Sequence, residues 1–61
     1  MEIVNAKKII VVSESKRNPN RFQIIVHPSS GGKPFTRHAH KQADGSYMQK
    51  IDNKVTVYKV V

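Results

Sequence analysis

Residues 21–27 read Arg-Phe-Gln-Ile-Ile-Val-His, with Phe22, Ile24 and Val26 on one side of the alternation and Arg21, Gln23, Ile25 and His27 on the other. Successive side chains of an extended strand point to opposite faces, so this period of two marks a strand with one buried face. No segment repeats apolar residues at helical spacing for long enough to make a helix. Only residues 1–8 and 37–43 leave room for a single helical turn. The alternation therefore commits the chain to a mostly β fold.

The remaining strands follow from composition and punctuation. Residues 7–13 hold the β-branched run Ile9-Ile10-Val11-Val12, which suits a strand covered on both faces. The polar stretch that follows contains Asn18-Pro19-Asn20 and reads as a turn, because proline cannot donate to a ladder and asparagine favours turn geometry. Residues 28–34, with Gly31, Gly32 and prolines at both ends, form a loop. A third strand is expected over residues 35–41 and a fourth over residues 47–51, separated by Asp44-Gly45, a favourable hairpin dipeptide. Asp52-Asn53 suits a two-residue turn, since both residues tolerate positive φ. The last strand, residues 54–61, puts Val55, Val57 and Val61 on one face and Thr56, Tyr58 and Val60 on the other. The expectation is an all-β, five-stranded antiparallel meander closed into a small SH3-like or OB-like barrel. The competitor is an open sheet that dimerises by an edge strand, the valine-rich last strand being the natural edge.

With 61 residues the chain makes one small domain, residues 1–61, near the lower limit for independent folding. It has no cysteine, which excludes disulfides and thiolate zinc sites. A compact core, a partner subunit or a histidine-held metal remain as sources of stability, so a monomer or a homodimer is expected. Glu2 stands where an export signal would be basic, and the apolar run 9–12 is too short for a signal or a membrane span. A cytoplasmic protein without a membrane partner is the expectation.

Charge says more about partners. Eleven Lys and Arg face four Asp and Glu, a formal net charge of +7, and no acid lies between Glu14 and Asp44. Lys16, Arg17, Arg21, Lys33, Arg37 and Lys41 all fall in that stretch, with His27, His38 and His40. Such a field attracts polyanions and speeds their association. Lys16, Arg17 and Arg21 flank one turn, while Arg37 and Lys41 share a strand face with Phe35. Cations that meet phosphates beside a ring that stacks on a base make a surface for single-stranded nucleic acid. Tyr47 is a second candidate for stacking. The run Arg17-Asn18-Pro19 resembles the β-arm tip of bacterial histone-like architectural proteins, and that resemblance implies a tip able to reach a DNA groove.

Catalytic and cofactor signals are thin. His38 and His40 would point to one strand face and, with His27, make a candidate three-histidine metal site or a ribonuclease acid–base pair. The acids that would orient metal-bound histidines lie outside this stretch, so no metal, cofactor or enzymatic activity is expected. Ser29-Ser30-Gly31-Gly32-Lys33 lacks P-loop spacing, and Pro34 blocks the helix a P-loop needs. The sequence therefore points to a small basic protein contacting the phosphate backbone of DNA or RNA. The alternative is an inhibitor or adaptor, of the kind phages and mobile elements make, docked on an acidic protein surface. The nucleic-acid reading uses Lys16, Arg17, Arg21, Lys33, Phe35, Arg37, Lys41 and Tyr47, and the alternative would share the same cations.

Overall fold

The computed structural model describes residues 1–61 and contains five strands: β1 (Glu2–Glu14), β2 (Arg21–Pro28), β3 (Phe35–Lys41), β4 (Tyr47–Ile51) and β5 (Lys54–Val60). They close in chain order into a barrel, each antiparallel to the next except that β5 returns parallel to β1. An odd number of strands in a meander makes the first and last run the same way, so a parallel seam is the geometric consequence. The structure therefore has the small closed barrel, and the open sheet is ruled out. It holds no helix long and apolar enough to cross a membrane.

β1 makes the closure possible by belonging to two ladders. Its first part, Glu2 to Ala6, pairs with Thr56 to Val60, and from Ala6 onward it pairs with β2. The register slips between Ala6 and Lys8 and again between Val11 and Ser13, leaving Lys7 and Val12 as extra residues. Such bulges bend a strand and sharpen its twist, which lets β1 turn from one side of the barrel to the other. The helical turn allowed for residues 1–8 is therefore replaced by strand, and that for residues 37–43 falls largely within β3.

The run Ile9-Ile10-Val11-Val12 also departs from the expected burial. Ile10, Val11 and Val12 are 43%, 46% and 52% exposed rather than covered on both faces. The reason is length: β5 stops at Val60, opposite Ala6, so nothing flanks β1 beyond that point on the side away from β2. The edge was expected at the last strand, but β5 is paired on both sides. The second half of β1 is instead left as a free edge.

The interior is small. Ala6, Ile24, Val26, Ala39, Tyr47 and Tyr58 form its buried apolar set, with Val4, Ile9, Phe22 and Phe35 packed around them. Phe22, Ile24 and Val26 do face inward, as the alternation requires. Two aromatic contacts bridge the strands, Phe22 edge-on to Tyr47 at 6.2 Å and Phe35 tilted against Tyr58 at 6.0 Å. The Tyr58 hydroxyl donates to Gln49 Oε1 at 3.1 Å, so its polar end is satisfied. Asp52 and Asn53 take φ of 49° and 67°, the paired positive values of the tight turn expected between β4 and β5.

Between β3 and β4, Gly45 adopts φ of 90°. Ser46, the one buried polar residue, donates its hydroxyl proton to Asp44 Oδ1 at 2.6 Å, and its amide donates to the same oxygen at 2.9 Å. These bonds, the side-chain one first, hold the Asp44 carboxyl below its ordinary value of 3.8, with the charge of Lys59 adding to the effect. A depressed carboxyl pKa stabilises the fold fully above the ordinary value, and the contribution is lost as pH falls through the lowered one. Asp44 should therefore titrate below 3.8 when followed by carboxyl-carbon NMR, and Ser46→Ala should move it back toward that value. In the core, Ile24→Ala should cost about 2–5 kcal/mol by urea unfolding, because Ile24 is fully buried and is one of only two large side chains so placed.

Candidate nucleic-acid interface

The side chains that alternate outward from β2 and β3 bring Arg21, His38 and His40 onto one face of the barrel. Register sets Arg21 opposite His40 and Gln23 opposite His38, so each pair shares the outer face. Cβ atoms of directly opposed residues lie about 5 Å apart. The next strand continues the row, with Met48 opposite His40, and Lys50 two positions further on is also exposed. A hollow of about 250 Å³ is lined by Arg21, His38, His40, Gln49, Lys50 and Ile51. A second, of about 240 Å³, lies on the other side of Arg21 and His38 and reaches Ser13, Glu14, Ser15 and Gln23. Together they form a shallow track across the face, with Arg21 and His38 common to both.

The β1–β2 turn adds to this face. Its tight geometry rests on the Ser15 amide donating to Arg21 O at 2.8 Å, the Arg21 amide donating to Asn18 O at 3.2 Å, and a positive φ of 67° at Asn20. The Lys41 amide then donates to Asn20 O at 2.9 Å, which ties the turn to the end of β3. Lys16, Arg17, Arg21 and Lys41 are thereby gathered at one end of the barrel, all exposed. The Arg17-Asn18-Pro19 tip projects from that end. Glu14 is the acid at its rim.

The other candidates lie elsewhere. Lys33 sits in the β2–β3 loop, at the opposite end of β2 from Arg21. Two amides of that loop are already engaged, Ser29 with Asn5 O and Gly31 with Pro28 O. Arg37 is on the inward side of β3, opposite Ile24, yet it is exposed because β4 pairs only with His40 and Lys41 of that strand. Its guanidinium lies 4.5 Å over the Phe35 ring, and Nη1 donates to Thr36 O at 2.8 Å. Phe35 thus packs against the core on one side and carries a cation on another. Tyr47 is buried, edge-on to Phe22, which takes its ring away from the surface proposed for stacking.

The three histidines are not brought together. His27 pairs with Lys8, while His38 sits opposite Gln23, four positions back along β2, roughly 13 Å away. No group of three His, Cys, Asp or Glu side chains is arranged to hold a metal ion. His38 and His40 instead share the outer face with Arg21. Sequence reasoning missed Lys50, whose segment is not unusually charged. The signal was its parity, since Met48 and Lys50 alternate against inward Tyr47. No family model, curated protein or solved structure matches the chain.

Proposed function

We propose that the chain binds nucleic acid in a cytoplasmic setting, with phosphates held along the track from the β1–β2 turn across Arg21, His38, His40 and Lys50. The observation that carries this reading is the direct opposition of Arg21 and His40 beside Lys41 and the turn cations. Across the whole chain, the one hydrogen bond donated by a Lys or Arg side chain is that of Arg37 to Thr36 O. Arg21, Lys41, Lys50 and the turn cations therefore have no internal carboxylate bonded to them, and a polyanion would relieve their mutual repulsion. Phosphate contacts of this kind fix affinity and register and say little about base sequence. Stacking plays a smaller part in this reading than the sequence implied, because Tyr47 is buried and Phe35 is already covered by Arg37.

Fluorescence anisotropy with labelled single-stranded DNA, duplex DNA and RNA, at several salt concentrations, tests it. Each phosphate neutralised contributes a slope of about −0.9 on duplex, or about −0.7 on a single strand, in log affinity against log salt. Replacing Arg17, Arg21 and Lys41 together by alanine should weaken binding to every sequence and flatten that slope by about two units or more. Lys33→Ala, at the far end of β2, should change it by less than one phosphate's share, about 0.7. Equal, weak binding to all three polymers that vanishes before physiological salt would overturn the proposal and favour an acidic protein surface as the partner.

A further inference from the structure

The second half of β1 is an unpaired strand edge made of the most aliphatic segment in the chain. From Lys7 to Glu14 its one neighbour is β2, and no hydrogen bond or strand occupies the other side. Ile10, Val11 and Val12 are exposed there, beside half-buried Ile9. An open edge of this kind is a template for another strand. The chain also has reason to use it, because only seven of its 61 residues are buried, and small domains short of core commonly gain stability by association.

We propose that the occupant is a second copy of this chain, paired antiparallel along β1 about a twofold axis through Ile10. The choice of partner rests on how the segment is ordered: Lys7-Lys8, four aliphatic residues, then Ser13-Glu14. Reversed against itself, it sets aliphatic on aliphatic and places the basic end of each copy beside the acidic end of the other. An isologous pair must set a residue opposite its own copy, with both on one face of the joined sheet. The register with β2 puts Lys8, Ile10 and Ser13 on the outer face, and Ile9 and Val11 on the inner face. With Ile10 on the axis, Ile9 meets Val11, Lys8 meets Ser13, and Lys7 approaches Glu14 of the second copy. With Val11 on the axis, Ile10 would meet Ser13 and Ile9 would meet Glu14, which sacrifices both matches. The bulges at Lys7 and Val12 bracket the regular stretch, so the pairing ends after a few residues and closes as a dimer. The axis stands normal to the joined sheet, so the outer faces carrying Arg21, His38 and His40 would lie on one side.

Sedimentation equilibrium over a wide range of protein concentration reads the result. The wild-type chain should approach twice its 6.9 kDa mass as concentration rises. Ile10→Lys places like charges against each other on the axis and should raise the dimer dissociation constant about a hundredfold or more. Thr36→Lys, also an exposed outer-face substitution but on β3, should leave it unchanged, and circular dichroism should show both variants folded. Glu14→Lys should weaken the dimer, and adding Lys7→Glu with Lys8→Glu should restore it. A wild-type chain that stays at 6.9 kDa, or a dimer indifferent to Ile10→Lys, would overturn the proposal.

Discussion

Closure of the β1–β5 seam is the interaction on which the rest of this barrel depends. Two large side chains, Ile24 and Val26, are fully buried, and the remaining core consists of alanines and aromatics at its margins. Burial on that scale is small for a chain near the lower size limit. The barrel instead relies on satisfying its backbone: of 34 backbone hydrogen bonds, 26 lie within the strands. A sheet of five strands left open would expose two full edges, and joining β5 to β1 removes β5 and the first half of β1 from that exposure. The same ladder fixes which way β1 faces, and through the bulges it directs the second half of the strand outward.

That geometry sorts the charges. Because β2 and β3 each present one face to the core, their alternate residues converge on the outside, where Arg21, His38 and His40 meet. The turn before β2 and the end of β3 are tied by a backbone bond, so cations distant in sequence reach the same end. Arg37 shows the converse case. It has the parity of a core residue, opposite Ile24, and escapes burial only where β4 has left β3. There it serves as a cover for Phe35, a role set by the short β3–β4 seam.

Much of the architecture was legible because it is local. The alternation in β2 gave its core face, and Asp52-Asn53 gave a turn in which both residues have positive φ. The bounds of β3 and β4 followed from the turn residues around them. What could not be read was non-local. The run Ile9 to Val12 looks like an interior strand, and only the relative lengths of β1 and β5 leave it exposed. The candidate site divided along the same line. The turn cations are adjacent in sequence and were found, while Lys50 joins them only through strand order. His38 and His40 share a face as their spacing implies, whereas the burial of Tyr47 and the separation of His27 depend on register, which composition does not encode.

The seam also dictates an order of events. Glu2 pairs with Thr56, fifty-four positions away, whereas β4 and β5 are joined by a two-residue turn. Loop entropy makes the short connections form readily and the long one late, so the hairpins can assemble before the barrel exists. During synthesis β1 can engage β2 while its first residues still wait for a strand not yet made. The most aliphatic stretch of the chain is thus held in a half-built sheet until the final strand arrives. The window in which this small barrel is most exposed to misassembly is set by the time β5 takes to follow β2 from the ribosome.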